Sequence, residues 1–303
     1  MLSRLRALSD VFRVAMAATC RSALMRNADP KAVFVVAGAS RGIGLAMIHE
    51  LLQRTRGTVL AATRNGCSSV GAPLALTDLA QGPHGKRLQI VGGLDLTQPE
   101  SINAFAADLE QRCGGRIDVL INTVGVLHGE VTGGAAQASM GIGDGNMPER
   151  ALKQLDMTWM EHSLRTNAVG PLLLLRALAP LMRTRGTGRP DSVAAALSAR
   201  GGSISDNGLG GWYSYRMSKA ALNMGLRTAA LELRRQGTAV LALHPGTVKT
   251  DLSAPFAKGV KPDKLLDAPM AARCLLDVVD VRGQVDSAER HEFFDFKGER
   301  VEW

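Results

Sequence analysis

The chain has 303 residues, 46% hydrophobic and 21% charged. This globular balance excludes disordered, collagen-like and coiled-coil chains and leaves room for one large α/β domain. Its 36 basic residues exceed the 28 acidic ones by 8. They are scattered singly, so a solvated basic surface or an anionic small ligand explains the charge better than nucleic acid does. The longest apolar run, Pro171 to Leu175, stops at Arg176 and argues against a membrane span. Cys20, Cys67, Cys113 and Cys274 lie far apart, so no metal site or disulfide framework is signalled, and reduced thiols are expected.

Residues 1–29 read as a basic amphipathic leader. Arg4, Arg6, Arg13, Arg21 and Arg26 face the acid Asp10, and Leu2, Leu5, Leu8, Phe12 and Met16 recur at helical spacing. That composition suits an organelle transit peptide, and equally a surface-docked leader with no address. The expected location is intracellular: mitochondrial or plastid for a transit peptide, cytoplasmic otherwise.

From residue 30 to 303 the chain reads as one domain of alternating strands and helices. Val33–Ala37 is a buried strand, followed by a glycine turn and a helix over 41–54. Strands follow at Thr58–Thr63 and Leu88–Val91, then a helix near 99–112 and a strand at Asp118–Ile121. A Gly/Ala-rich loop spans Gly129 to Gly145, and a long helix covers 158–184. After it come a strand at Ser192–Leu197, a helix near 216–236 and a strand at Ala239–Leu243. Strands this continuously apolar are buried on both faces, which implies a parallel sheet between helices. The expected fold is a single-domain, Rossmann-type, doubly wound α/β sandwich of three layers.

The segment Gly38-Ala-Ser40-Arg41-Gly42-Ile43-Gly44 opens the first helix directly after the first strand. There the glycines permit a tight turn, close backbone approach and helix–strand packing, while the helix N-terminus faces a pyrophosphate. The second strand ends Thr63-Arg64-Asn65, without the carboxylate that holds an NAD ribose. Arg64 and Arg41 instead suit the 2′-phosphate of NADP, because guanidinium pairs bidentately with phosphate oxygens.

The sharpest chemical signal is Tyr215-Arg-Met-Ser-Lys219. Four residues apart on a helix, Tyr215 and Lys219 share one face. A free phenol has a pKa near 10, and a neighbouring cation is expected to lower it, making the tyrosine a workable acid–base group.

The glycine spacing, with the Tyr/Lys pair some 170 residues later, resembles the short-chain dehydrogenase/reductase family, in particular its C-factor-like and sniffer-like carbonyl reductase subgroup. The resemblance covers 31–303, with Ala37 in place of the usual threonine. It implies that Asp95 and Leu96 contact the adenine, although residue type alone equally allows Asp95 a turn-capping role. It also implies that Asn122 and Gly125 are the strand-stabilising and cofactor-clearing positions of a central element, here carrying Ile121 and Thr123 instead of Asn and Ala. Asn167, within Arg165–Gly170, corresponds to the residue supporting a proton path to the lysine. Pro245, Gly246, Val248 and Thr250, after His244, correspond to the nicotinamide-side turn. The catalytic serine position reads Ser198-Ala199, so Ser198 is the favoured carbonyl-polarising group and Ser203 the other candidate.

The expected function is NADP-dependent reduction of a small carbonyl compound: an aldehyde, ketone or quinone. Tyr215 is general acid, Lys219 lowers its pKa and orients the ribose, Ser198 polarises the carbonyl and Asn167 supports the relay. The altered serine position motivates an alternative, a cofactor-binding interaction or signalling protein with little turnover. Residues 253–267, with Pro255, Phe256, Lys258, Lys261 and Pro262, are expected to form a lid. Family members commonly form dimers or tetramers through the helices near 158–184 and 216–236, which implies a homodimer or homotetramer.

Overall fold

Strand β1 (Val33–Ala37) is buried at every position, and its alternating side chains feed two different cores. Val33, Val35 and Ala37 pack with Ile102, Phe105 and Leu109 of one helix and Leu174, Leu178, Leu222 and Leu226 of two others. Phe34 and Val36 face the opposite layer, against Met47, Ile48, Leu51, Leu275 and Val279. A period of two along the strand thus makes a sheet with helices on both sides.

The computed structural model describes residues 21–66, 74–128, 147–256, 259–261, 264–285 and 292–303. The other sheet strands are β2 (Thr58–Ala62), β3 (Leu88–Val91), β4 (Val119–Asn122), β5 (Ser192–Leu197), β6 (Thr238–His244) and β9 (Phe293–Asp295); β7 (Thr247–Val248) and β8 (Leu265–Leu266) pair separately. The sheet order is β3-β2-β1-β4-β5-β6-β9, with all described pairs parallel. Because β1 lies between β2 and β4, the strand order reverses there, and the crevice outside these carboxyl ends is where such sheets bind ligands.

The helices are α1 (Arg21–Ala28), α2 (Gly42–Arg54), α3 (Leu74–Gln81), α4 (Pro99–Cys113), α5 (Met157–Leu164), α6 (Gly170–Met182), α7 (Tyr213–Leu233) and α8 (Ala268–Arg282). The sequence reading of one helix over 158–184 requires correction. A π-turn at Arg165–Val169 separates α5 from α6, and Asp156 starts α5 by accepting the Trp159 N–H at 2.8 Å. The helix expected near 216–236 begins earlier, at Tyr213, and passes into a 3-10 turn at Arg234–Gln236. Helices α3 and α8 and the three-residue edge strand β9 have no counterpart in the sequence reading.

Helix α1 docks on this body. Arg26, 1% exposed, reaches Asp280 Oδ1 at 3.1 Å and the Asp191 carbonyl at 3.2 Å. Asn27 Nδ2 lies 3.1 Å from both Asp280 oxygens. Arg54 joins the cluster through Asp277 at 2.8 Å, Glu50 at 3.1 Å and Asp280 at 3.4 Å. Residues 1–20 of the expected leader and the loop 129–145 lie outside the described residues.

Candidate active site

The glycine turn links β1 to α2 at the switch point. Gly38 and Gly42 have φ of +84° and +56°, which a side chain would strain. A Cβ on Gly44 would come within 2.3 Å of the Gly38 carbonyl oxygen, so only glycine lets α2 pack this closely on the turn. Thr123 reinforces the turn, its hydroxyl directed at the carbonyls of Ala37 at 2.9 Å and Gly38 at 3.1 Å. Arg41 stands at the N-cap of α2 without a side-chain cap, leaving the first-turn N–H groups free of a capping side chain. Thr250 approaches from the other side: its Cγ2 would lie 3.4 Å from a Cβ on Gly42.

Ser40, Arg41 and Arg64 are exposed beside this turn. Arg41 pairs with Asp251 at 3.3 Å across the mouth of the crevice. Asp95 accepts from the Thr97 N–H at 2.8 Å and hydroxyl at 2.7 Å, the turn-capping role that its residue type allowed. Leu96 is buried, and its carbonyl lies where a Cβ on Gly170 would sit, so Gly170 is needed where α6 starts. Asn122 is buried at the end of β4 and accepts the Val124 N–H at 3.1 Å, while its Nδ2 has no partner. Gly246, at φ +74°, leaves room for the Phe296 ring beside Pro245, and Val248 packs with Leu266, Ala271 and Ile43.

Tyr215 lies in the first turn of α7, and the Lys219 Nζ is 5.9 Å from its ring centroid. Lys219 is 3% exposed and donates to the Leu197 carbonyl at 2.7 Å. Burial lowers the Lys219 ammonium to about 8 and raises the Tyr215 phenol to about 12. The expected lowering of the phenol by its lysine is therefore reversed in direction, because burial outweighs a cation directed at a carbonyl. Gly125 fits against Lys219 and Asn167: a Cβ there would sit 3.3 Å from Asn167 Oδ1 and 3.4 Å from Lys219 Nζ.

Asn167, fully buried in the π-turn, accepts the Val126 N–H at 2.8 Å and donates to the Val126 carbonyl at 2.8 Å and Ser218 Oγ at 2.9 Å. It ties the chain after β4 to α7, one residue before Lys219. The Ser198 hydroxyl donates to Asn223 Oδ1 at 2.5 Å, because at the end of β5 its side chain faces α7. Ser203 accepts the Asp206 N–H at 3.1 Å and caps its own loop. His244, at the end of β6, is held neutral as burial lowers its imidazole to about 4.

The sequence reading missed an aromatic chain above Tyr215. Trp212 meets the Tyr215 ring at 6.2 Å and Phe256 at 5.0 Å, and Phe256 meets His128 at 5.9 Å. These rings bring together the segments after β4, β5 and β7, so Phe256 of the expected lid does reach the site; Lys258 and Pro262 lie outside the described residues. Trp212 and Phe256 were findable as two of only 12 aromatics, but nothing local announced their meeting.

The profile of the short chain dehydrogenase family matches residues 32–261. C-signal of Myxococcus xanthus is 35% identical over 202 residues, covering 67% of this chain and 100% of that protein. An NADPH-bound carbonyl reductase from chicken fatty liver is 29% identical, with a TM-score of 0.70, covering 90% of this chain and 99% of the other. A short-chain dehydrogenase/reductase from Burkholderia multivorans with bound NADP is 29% identical, with a TM-score of 0.69, covering 90% of this chain and 100% of the other.

Proposed function

The chain belongs to the short-chain dehydrogenase family, and from that premise we propose that it is an NADP-dependent reductase of small carbonyl compounds. The carrying observation is the half-buried Tyr215 phenol in the first turn of α7, with the buried Lys219 one turn on and Gly125 leaving room beside its Nζ. A dinucleotide fits the residues present: a left-handed glycine turn and an uncapped helix N-terminus follow the carboxyl end of β1, beside the end of β4 where the buried Asn122 Nδ2 is unpartnered. The absence of an acid after β2, with Arg64 and Arg41 exposed there, supports the 2′-phosphorylated form; both solved relatives above hold it. Bound NADPH supplies the hydride.

The residues of the chain then do the rest. Gly38, Ser40, Arg41, Gly42, Ile43 and Gly44 hold the phosphates, with Arg64 on the 2′-phosphate and Asp95 and Leu96 beside the adenine. Pro245, Gly246, Val248 and Thr250 shape the opposite wall. Tyr215, protonated throughout the neutral range, donates its proton to the carbonyl oxygen as charge develops there. Lys219 stabilises the resulting phenolate and orients the ribose, and Asn167 keeps the relay side of the site in register. Ser198 polarises the carbonyl only by exchanging its Asn223 partner, which leaves Ser203 as the competing group. The exposed Met217, Met224 and Leu231, seven residues apart on α7, support a homodimer or homotetramer through that helix.

One observation favours a second reading. With Ser198 bonded to Asn223 and alanine at 199, a cofactor-binding protein with little turnover fits the same fold. Steady-state NADPH oxidation with aldehydes, quinones and diketones separates the two. The reductase reading expects turnover that Tyr215→Phe abolishes, with NADPH affinity kept within a few fold, because the proton donor matters only in the transition state. Tight NADPH binding without turnover on the whole panel would establish the second reading. More than a tenth of parental turnover in Tyr215→Phe would remove this proton donor.

A further inference from the structure

We infer that Glu149 is the positioning residue for Tyr215, its buried side chain closing the first turn of α7 from a distant part of the chain; the inference rests on the reading of Tyr215 as proton donor. A helix normally begins with a side chain that accepts an N–H of its own first turn. Helix α7 has no such cap, because its N-cap residue is Trp212, in the left-handed conformation at φ 55° and ψ 43°. Gly210 and Gly211 are also left-handed, at φ +65° and +64°, so the chain enters α7 through three consecutive residues of that hand, the last carrying a large side chain.

Glu149 supplies what the local sequence lacks. It is fully buried, and its backbone carbonyl accepts the Trp212 N–H at 2.5 Å. Its Oε2 accepts the Ser214 N–H at 3.4 Å, and Oε1 accepts the Ser214 hydroxyl. Ser214 is the second residue of the helix, the position whose N–H a cap ordinarily satisfies, and a carboxylate at a helix N-terminus is also favoured by the helix dipole. Arg216 clamps the same turn from the other side, donating to the carbonyls of Gly211 at 2.9 Å, Gly210 at 3.2 Å and Gly201 at 3.4 Å. Tyr215 sits between Ser214 and Arg216, so its ring direction depends on this turn being closed. Glu149 itself needs no contact with substrate.

The test uses the two tyrosines of the chain. In a Tyr213→Phe background the phenolate absorbance near 295 nm reports Tyr215 alone, whether or not the protein turns over a substrate. With the phenol at about 12, about 3% is ionised at pH 10.5, whereas a phenol returned to its ordinary value near 10 is about three-quarters ionised. Glu149→Ala is expected to expose that phenolate and lower kcat at least tenfold with the NADPH Kd within about threefold. Glu149→Gln, which retains an acceptor for Ser214, is expected to restore both readouts to within about threefold of the parent. Ser214→Ala, a smaller change that leaves the backbone bonds to Glu149, keeps the test decisive should Glu149→Ala not fold; about a threefold loss of kcat is expected. The inference is overturned if Glu149→Ala matches the parent in titration and kcat, or if the Gln and Ala variants fall equally. It is also overturned if Ser214→Ala, standing in for an unfolded Glu149→Ala, leaves kcat unchanged. If the parent binds NADPH but reduces no carbonyl, the reductase reading fails, and the titration alone decides the role of Glu149.

Discussion

Replacing Lys219 by methionine should stabilise the fold at neutral pH while removing turnover. Bringing the ammonium from 10.5 to about 8 by burial corresponds to about 3 kcal/mol at about 1.4 kcal/mol per pH unit. Methionine has no charge to bury but forfeits the bond to the Leu197 carbonyl, worth about 1.5–3 kcal/mol for a charged donor. The variant should therefore gain about 1 kcal/mol at pH 6.5. Between pH 8 and 10.5 the unfolded chain holds a proton on Lys219 that the native chain has released, so native stability rises with pH through that window. By pH 9.5 the parent should recover about 2 kcal/mol relative to the variant. Tyr215, raised to about 12, acts oppositely and costs stability only above about 10, outside this comparison. Urea unfolding at pH 6.5 and 9.5, read as a change in midpoint at constant slope, measures the gap. A gap independent of pH would refute a buried ammonium at this position.

Arg41→Ala with Arg64→Ala should reduce NADPH preference over NADH at least tenfold in direct titrations, since each charge-assisted bond is worth about 1.5–3 kcal/mol; an unaltered preference would place the 2′-phosphate elsewhere. Ser198→Ala and Ser203→Ala should separate in kcat: the polarising serine loses about 10²–10³-fold, and the other changes stability by no more than about 1 kcal/mol. Two active variants would leave Tyr215, Lys219 and Asn167 to act alone. Asp280→Ala should cost about 3–5 kcal/mol, because it takes this carboxylate from the buried Arg26 guanidinium and leaves it the Asp191 carbonyl. Arg26→Met should cost less, since Asp280 keeps Arg54 and Asn27; equal midpoint shifts would contradict that asymmetry.

The parallel sheet and its glycine turn were legible because their signals are local. Val33–Ala37 is apolar without a break, and Gly38, Gly42 and Gly44 follow at once. Tyr215 and Lys219 were legible for the same reason, a helical spacing within five residues. The Asn223 partner of Ser198 was not, because the side chains of a strand alternate, and a shift of one residue at the end of β5 decides whether a hydroxyl faces α7. The Tyr215 pKa was misjudged because sequence places a lysine nearby without revealing that its ammonium points to Leu197. Glu149 carries no local signal at all: its partner Ser214 lies 65 residues away. Strand β9 escaped notice because three residues are too few for a period.

The π-turn at Arg165–Val169 holds one residue more than a regular helix would, and at about 100° per residue it rotates everything beyond it by roughly a quarter-turn. Helices α5 and α6 therefore run end to end with their buried faces set independently: Trp159 and Ser163 before the turn, Leu174, Leu178 and Leu181 after it. Deleting a single residue there would leave a smooth helix with an intact apolar stripe on only one side of the junction. Asn167 would swing away from Val126 and Ser218, and Gly170 away from Leu96. The extra residue acts as a phase shifter, letting one rod of helix satisfy the core along one half and the Asn167 bonds to Val126 and Ser218 at its centre.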